Sequence, residues 1–421
     1  MKQRLCMLIM VVTTGFMVSG ARIHVNIASP GFTKLRVAMP MFSGPSGLAS
    51  SLWKLARKDI EISGAFELIN PDAYLHQGPL SSIAPGTLKD WNLIGADFVM
   101  VGKVDLNDWD VKLKVTLVET STTNKVVDKT YTCKKEELYK AVHGLMDDFL
   151  EESIGLKGIF STRIVCVADN GRSKQLYICY PDGSGGYLLE GLGRLVLDPA
   201  WSPDGSKIAF VSYKRNNPDI YIVDLKAKAT RLVLSFPGLN TTPAFCPDGK
   251  SIAFTLSKDG NPEIYMMSLY ASSMSRLTHN WATDTSPCFS PDGKKMVFCS
   301  NRGGSPQVYI KNMSKGNVTR LTFKGSYNTE PVFSPRGDWI AFSHLAADGH
   351  FHLAIIREDG TDMVVLKGTG KGDESPSFSP DGRLIVFASS DGNLYITDIT
   401  GGTLVRITDG KYIYSEPSWQ D

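Results

Sequence analysis

The chain has 421 residues, more than one ordinary core needs, and its 42% hydrophobic and 21% charged residues are typical of a globular protein. Lys and Arg number 45 against 43 Asp and Glu, and two of the bases lie in the first 21 residues. The remainder has no net charge and no basic run, which argues against nucleic acid or an anionic lipid surface as a partner.

Residues 1–21 have the three-part pattern of a secretory signal peptide. Basic Lys2 and Arg4 precede an apolar run at 5–18, and small residues follow at 19–21. The run is shorter than the roughly 20 apolar residues that span a bilayer. The pattern therefore predicts export, with a membrane anchor or a buried strand as alternatives. No later segment predicts insertion into a membrane.

Residues 22–33 are predicted to form a tail. Arg22 to Ile27 alternates apolar and polar residues until Ser29-Pro30-Gly31 breaks the pattern. Such a segment can pair as an edge strand, either within the protein or on a partner. A frayed terminus is the alternative.

Residues 34–157 are predicted to form a small α/β domain with a mixed sheet. Helical spacing is found at 47–62, at 86–93 and around Leu138, Val142, Leu145 and Phe149, and strand-like runs lie at 34–39, 66–69, 98–104, 111–118 and 125–131. The link at 155–162 is short. We therefore expect the two domains to touch and to move little independently.

Residues 158–421 contain a repeat that predicts a propeller. Turns of the type Ser-Pro-Asp-Gly recur, with prolines 44, 44, 44 and 45 residues apart at Pro203, Pro247, Pro291, Pro335 and Pro380. Each turn follows a Pro-x-aromatic segment and precedes an apolar run, and two further strand-like runs complete the unit. A period of 40–45 residues with four strands is typical of a propeller blade, with aromatic side chains filling the space between blades.

The repeat also predicts how the ring closes. Residues 164–168, 176–178 and 187–189 match the second, third and fourth strands of a blade that lacks its first strand. The segment at 415–419 matches a first strand. The C-terminal strand is therefore expected to complete the opening blade, which gives six blades and buries the open edges. An open array of hairpins or a sandwich explains neither feature.

Cysteine and histidine patterns predict neither a metal nor a cofactor. The six cysteines after the signal form no CxxC motif, and His350 and His352 have no further ligand at suitable spacing. Disulfides could join Cys166 to Cys179 and Cys288 to Cys299 across hairpins, with buried thiols as the alternative. No G-x-S-x-G, phosphate loop or dinucleotide motif occurs in a suitable setting, so no enzyme is predicted.

What remains is a binding surface at one mouth of the propeller. The loops that enter the first strands are short and rich in hydroxyls and carboxylates, at 239–242, 283–286, 327–330, 372–375 and 414–416. Loops held by a rigid scaffold commonly carry recognition. A merely solvated rim is the alternative.

Together these features resemble the TolB family of the Tol-Pal cell-envelope system. The resemblance covers nearly the whole chain after the signal, including the junction at 155–163, the segment Ser235-Phe236-Pro237 and the turn at 199–207. It implies a monomeric, non-enzymatic periplasmic adaptor that supports outer-membrane integrity and cell division. It implies two partners: the peptidoglycan-associated lipoprotein Pal at the mouth, and the C-terminal domain of TolA at the tail.

The resemblance also implies site residues. The TolA-binding tail comprises Arg22, Ile23, His24, Val25, Asn26 and Ile27, and the Pal-binding mouth comprises Leu239, Asn240, Thr241, Thr285, Ser286, Asn328, Thr329, Glu330, Asp373 and Glu374. Leu239 and Ser286 stand where better-known members carry His and Glu.

Two other functions remain open. An exported ligand- or sugar-binding propeller would need aromatic platforms at the mouth, for which Tyr327 and Tyr414 are the candidates. A propeller accessory to a peptidase would need a hydrolase domain with a nucleophile elbow.

Overall fold

The computed structural model describes residues 33–107, 110–271 and 273–420. Among these residues, no helix is both long and apolar enough to cross a bilayer. The predicted signal peptide and nearly all of the predicted tail lie outside the described residues.

The N-terminal domain is a five-stranded mixed sheet with helices on both faces. Its helices are α1 (Ser46–Ile62), α2 (Leu88–Leu93) and α3 (Leu138–Ile154), with 3-10 turns at Pro71–Ala73, Pro85–Thr87 and Lys135–Glu137. Its strands are β1 (Leu35–Ala38), β2 (Phe66–Leu68), β3 (Phe98–Leu106), β4 (Asp110–Glu119) and β5 (Lys125–Lys134). The strand order is β2-β1-β3-β4-β5, with β1 parallel to both neighbours and the later pairs antiparallel. The predicted α/β domain with a mixed sheet is confirmed.

The C-terminal domain is a ring of six four-stranded antiparallel sheets. Its strands are β6 (Ile164–Asp169), β7 (Lys174–Cys179), β8 (Tyr187–Leu188), β9 (Val196–Trp201), β10 (Lys207–Ser212), β11 (Asp219–Asp224), β12 (Ala229–Leu234), β13 (Asn240–Phe245), β14 (Ser251–Leu256), β15 (Glu263–Ser268), β16 (Met274–Arg276), β17 (Asp284–Phe289), β18 (Lys295–Ser300), β19 (Gln307–Asn312), β20 (Val318–Arg320), β21 (Asn328–Phe333), β22 (Trp339–Leu345), β23 (Phe351–Arg357), β24 (Val364–Val365), β25 (Asp373–Phe378), β26 (Leu384–Ser389), β27 (Leu394–Asp398), β28 (Leu404–Arg406) and β29 (Ile413–Trp419).

Blade 1 is built from both ends of the propeller sequence. Its strand order is β29-β6-β7-β8, with Ile413 opposite Asp169 and Trp419 opposite Ile164. Blades 2 to 6 each take four consecutive strands, beginning at β9, β13, β17, β21 and β25. The prediction of six blades closed by the C-terminal strand is therefore confirmed.

The recurring turns join the first and second strands of blades 2 to 6. In each turn the glycine N–H donates to the carbonyl three residues earlier, as from Gly205 to Ser202 at 2.8 Å. That glycine has a left-handed φ of 64° to 75° in all five turns, a conformation that costs little without a Cβ. The sequence Ser-Pro-Asp-Gly thus fits a type I turn that ends in a left-handed residue.

Aromatic and branched side chains fill the gaps between blades, as predicted. The second-strand phenylalanines Phe210, Phe254, Phe298, Phe342 and Phe387 are completely buried. Phe298 packs in one cluster with Ala253 and Ile264 of the preceding blade. Burying each such ring contributes roughly 2–3 kcal/mol, so the blades hold one another through continuous apolar contact.

The two domains share one hydrophobic core. Phe149 of α3 and Phe160 of the link belong to the same buried cluster as Leu384 of blade 6. Direct hydrogen bonds cross the joint: the Lys34 ammonium donates to Thr403 Oγ1 at 2.8 Å, and the Arg383 guanidinium donates to the Ser63 carbonyl at 3.0 Å. The expected contact between the domains is therefore present.

Neither of the two possible disulfides is formed. The register places Cys166 opposite Tyr177 and Cys179 opposite Ile164, and both keep buried free thiols. Cys299 lies opposite Thr285 and also keeps a free thiol. These three side chains are therefore buried thiols, which was the alternative to a disulfide.

Candidate functional site

Each first strand is bulged at the same place, where a proline follows a polar residue. The pairing register shifts there, for example between Thr241 and Ala244. The six residues before these prolines all have a left-handed φ of 47° to 54°: Asp198, Thr242, Ser286, Glu330, Ser375 and Glu416. That conformation costs a residue with a side chain roughly 1–2 kcal/mol, so the surrounding ring must hold it. We call these six residues the channel ring.

The channel ring and its prolines line a cavity of about 170 Å³ on the propeller axis. Its carboxylates accept hydrogen bonds from the backbone of the next blade. Glu416 accepts from the Asp198 N–H at 2.6 Å, and Asp198 accepts from the Thr242 N–H at 2.9 Å. Glu330 accepts from the Ser375 N–H at 2.9 Å. These carboxylates thus join neighbouring blades to one another.

Two of the ring carboxylates share one environment. Burial, aided by the charge of the nearby Asp198 carboxylate, raises the pKa of Glu416 to about 7. Burial likewise raises the pKa of Asp198, and the charge of Glu330 adds to the effect. Because two buried carboxylates repel when both are ionised, the pair retains a proton up to near-neutral pH.

Glu330 and Ser286, both predicted for the mouth, line the cavity at the propeller axis. Both belong to the channel ring and face the axis rather than the outer surface of the mouth. Glu330 also accepts from the Ser343 hydroxyl at 2.9 Å. Its carboxylate is therefore engaged within the propeller, and its role as a partner contact stays a prediction.

Three further predicted contacts are completely buried: Asn240, Asn328 and Asp373. Each bonds the residue four positions earlier. Asn240 donates to the Phe236 carbonyl at 2.7 Å, Asn328 donates to the Lys324 carbonyl at 2.9 Å, and Asp373 accepts from the Thr369 N–H at 2.9 Å. These side chains fasten the loops that enter the first strands of blades 3, 5 and 6, and their contact with a partner stays a prediction.

The remaining predicted mouth residues lie nearer the surface. Thr241, Thr285 and Thr329 are half-buried, whereas Glu374, which occupies the same position in blade 6, is exposed. Leu239 is also exposed. These five residues therefore remain candidates for a partner-binding surface. It also shows that the polar residues of the entering loops divide into surface, anchoring and channel positions.

Exposed apolar side chains accompany the polar residues of the mouth, and of these only Leu239 and Tyr327 were predicted from the sequence. Large apolar side chains lie in the segments that lead into the first strands or, for Ile413, at the start of the strand, and they are 38% to 77% exposed: Leu239, Trp281, Phe323, Tyr327 and Ile413. We call these five residues the apolar rim. Their signal in the sequence is an apolar residue inside an otherwise polar loop. Exposed apolar side chains beside polar groups are typical of a protein-binding surface.

Tyr414, one of the two predicted stacking platforms, is buried. Its hydroxyl donates to Asp409 at 2.9 Å. Tyr327 is 38% exposed and packs edge-on against Phe351, with 5.6 Å between ring centroids. The predicted tail residues Arg22 to Ile27 lie outside the described residues, so their position stays a prediction.

Comparisons with known proteins agree with this architecture. Residues 150–421 match the family model described as the TolB beta propeller domain, and residues 23–126 match the TolB amino-terminal domain. The chain is similar to the crystal structure of TolB from Acinetobacter baumannii, with a TM-score of 0.81 and 30% identity. That match covers 94% of this chain and 99% of the other.

Curated relatives match over a shorter length. The chain is 31% identical to the Tol-Pal system protein TolB of Bordetella avium over 222 residues, which is 52% of this chain and 49% of that protein. It is 34% identical to the protein of the same description from Polaromonas naphthalenivorans, over 52% of this chain and 51% of the relative. The chain therefore spans about half the length of these curated relatives.

Proposed function

Because the chain belongs to the TolB family, we propose that it is a periplasmic, non-enzymatic adaptor of the Tol-Pal system. In this proposal the propeller mouth binds a Pal-like peptidoglycan-associated lipoprotein, and residues 22–27 bind the C-terminal domain of TolA. Linking the two partners would support outer-membrane integrity and cell division.

The observation that carries the Pal proposal is the apolar rim. Trp281 is 77% exposed and Tyr327 is 38% exposed. Aromatic side chains contribute strongly to protein interfaces because they bury a large area at a small cost in conformational entropy. The half-buried threonines and Glu374 supply polar groups beside them. A rim of this composition suits a folded protein partner.

The rigidity of the mouth supports the same proposal. Asn240 and Asn328 fasten their loops through buried hydrogen bonds, and Glu330 joins blade 5 to blade 6. A surface held in this way loses little conformational entropy on binding. The mouth is thus suited to recognising a partner without large rearrangement.

The TolA proposal depends on the alternating pattern of the tail. Residues 22–27 can supply one edge strand, whose backbone hydrogen bonds would give affinity and whose alternate side chains would give specificity. The tail precedes the α/β domain in the sequence, so it can be deleted without changing any residue of the mouth.

Calorimetric titration with both partners tests the proposal. The titrants are the folded domain of the organism's own peptidoglycan-associated lipoprotein and the TolA C-terminal domain. We expect Leu239→Ser combined with Trp281→Ser to weaken Pal binding at least 10-fold and to leave TolA binding unchanged. Deleting residues 22–31 should abolish TolA binding and preserve Pal binding.

A matched control removes exposed apolar side chains elsewhere. Leu93 is 79% exposed and Tyr270 is 80% exposed, and neither belongs to the apolar rim. Leu93→Ser combined with Tyr270→Ser should leave both affinities unchanged. Equal loss in the rim and control variants would refute the mouth as the Pal site. Binding of oligosaccharides, with none of Pal, would favour the ligand-binding propeller instead.

A further inference from the structure

A buried cluster of ionisable side chains joins the two domains at a place far from the mouth. Asp59 lies on α1, His143 lies on α3, and Asp182 lies in the turn between β7 and β8 of blade 1. His143 Nδ1 is 2.8 Å from Asp59 Oδ2, and its Nε2 is 3.6 Å from Asp182 Oδ1. All three side chains are at most 2% exposed. We call them the interdomain triad.

The elements packed around His143 contribute further charges. Asp147, on the same helix, accepts from the backbone N–H groups of Phe160 and Ser161 in the link, at 2.7 and 3.0 Å. The ring of Tyr180 from blade 1 lies 4.2 Å from the imidazole, and the Arg163 guanidinium lies 3.1 Å from the Tyr180 ring centroid. Three carboxylates thus lie near one imidazole, and a guanidinium lies over the Tyr180 ring that packs against it.

The imidazole can be accommodated in both of its charge states. Ser184 Oγ is 3.1 Å from His143 Nε2. A hydroxyl can donate to the neutral ring or accept from the protonated ring. Gaining a proton therefore needs no rearrangement of the turn, and it adds an attraction between Nε2 and the Asp182 carboxylate of the other domain.

Burial makes a net negative charge at this place costly. Asp59 Oδ1 has no hydrogen-bond partner among the described residues. Burial raises the pKa of Asp59 to about 7, against the opposing effect of His143. Burial lowers the pKa of His143, but the charges of Asp59, Asp182 and Asp147 outweigh it and leave that pKa above its usual value. Burial also raises the pKa of Asp147.

We propose that the interdomain triad is a proton-operated latch, in which protons held between α1, α3 and the blade 1 turn keep the domains docked. Raised pKa values in the docked state mean that docking takes up protons. The bound protons stabilise the docked state fully at a pH below the pKa values that these groups have when the domains are apart. This stabilisation is lost as the pH rises through the higher pKa values that the groups have when the domains are docked. The joint should therefore loosen as the pH rises past about 7.

Asp59 Oδ2 lies at hydrogen-bond distance from His143 Nδ1, 2.8 Å, which suits a shared proton. One oxygen or nitrogen atom from each residue of the interdomain triad lies within 4.8 Å of the others, so the test must also distinguish a proton from a bound cation. The latch is independent of the proposed function, because it requires only the two docked domains.

Hydrogen exchange of the full chain at pH 6.0, 7.0 and 8.5, corrected for intrinsic rates, tests the latch. The amides to follow are those of the link at 155–162 and of the turn at 180–186. We expect the protection of these amides against exchange to fall up to about 10-fold per pH unit above pH 7. This is the largest slope that the release of one proton on undocking can produce. Asp59→Asn imitates the protonated carboxyl, so this variant should stay protected at all three pH values.

Asp90→Asn is the matched control. Asp90 pairs with His76 at 2.9 Å within the N-terminal domain, where both side chains are more than one third exposed. This variant should retain the pH dependence of the unsubstituted protein. The proposal is overturned if protection at the joint does not change with pH, or if it changes equally in Asp59→Asn.

A second measurement decides the case if Asp59→Asn does not fold. In the unsubstituted protein, the nuclear magnetic resonance signal of the His143 ring should titrate above pH 6.5, in the same range as the loss of protection. A ring that stays neutral from pH 5 to pH 9 overturns the proposal. The proposal is also overturned, in favour of a metal site, if added zinc restores protection at pH 8.5 and a chelator removes it.

Discussion

The carboxylate of Glu416 accepts a hydrogen bond from the backbone N–H of Asp198 at 2.6 Å, although the two residues are 218 positions apart. Glu416 lies in the closing strand β29, and Asp198 lies in the first strand of blade 2. The Trp201 indole N–H donates to the Ser418 carbonyl at 3.1 Å across the same boundary. The closing strand thus completes blade 1 and fastens it to blade 2.

Trp419 should be essential for the stability of the ring. Its side chain is 3% exposed, and its indole N–H donates to Thr162 Oγ1 at 2.8 Å. Trp419→Ala should lower the free energy of unfolding by about 3–5 kcal/mol because it leaves a large cavity. Urea denaturation measures the change. Trp281→Ala, at a side chain that is 77% exposed, is the control and should change stability by less than about 0.5 kcal/mol.

Glu416 should make the stability of the propeller depend on pH. Burial raises the pKa of Glu416 in the folded state to about 7. Its contribution to the free energy of unfolding is therefore fully present below the pKa of the unfolded chain and is lost as the pH rises through 7. Between pH 5 and pH 8 this loss should be on the order of 2 kcal/mol. Glu416→Gln should reduce that dependence, which thermal denaturation across the range can measure. The same slope in both proteins would contradict the assignment.

Asn328 should stabilise the mouth without binding a partner. Its amide donates to Gln307 Oε1 at 2.8 Å, and its Oδ1 lies 2.7 Å from His344 Nδ1. Asn328→Ala should lower the free energy of unfolding by about 2–3 kcal/mol, because buried polar groups lose their partners. Asn124→Ala, at an exposed asparagine, should have almost no effect. Equal stability of the two variants would show that the amide does not anchor the loop.

Glu330 should act through its hydrogen bonds rather than through a partner. Glu330→Ala removes the shorter of the two hydrogen bonds of the Ser375 N–H, which keeps only Ser343 Oγ at 3.1 Å, and should lower the free energy of unfolding by about 1–3 kcal/mol. Glu330→Gln keeps an acceptor oxygen and should lower it by less. Calorimetry on the folded Glu330→Gln variant should show Pal affinity within about threefold of the unsubstituted protein. A 10-fold loss of affinity at unchanged stability would restore Glu330 as a contact.

The architecture could be predicted because the sequence repeat indicates the strand boundaries and the number of blades. Ser-Pro-Asp-Gly turns set the strand boundaries of five blades, and the match of residues 415–419 to a first strand identified the closing strand. The pattern of apolar residues likewise gave α1 and α3 to within a few residues. These are local signals, and each of them recurs or alternates at a fixed spacing.

The site was less predictable because burial depends on tertiary contacts. Asn240 and Glu374 both belong to polar entering loops, but the first is completely buried and the second is exposed. The left-handed conformation of Glu330 before its proline has no local signal, since a residue before proline ordinarily favours extended backbone. Asp59 and His143 are 84 positions apart and meet only when α1 packs against α3.

Site-specific photo-crosslinking tests the central claim, that the propeller mouth binds Pal, most directly. A benzoylphenylalanine residue would replace Tyr327 in the apolar rim or, as the control, Tyr270 at the blade 3 hairpin. Irradiation of cells should yield a crosslink to the peptidoglycan-associated lipoprotein from position 327 and none from position 270. A crosslink from position 270 with none from position 327 would contradict the assignment of the mouth as the Pal-binding surface.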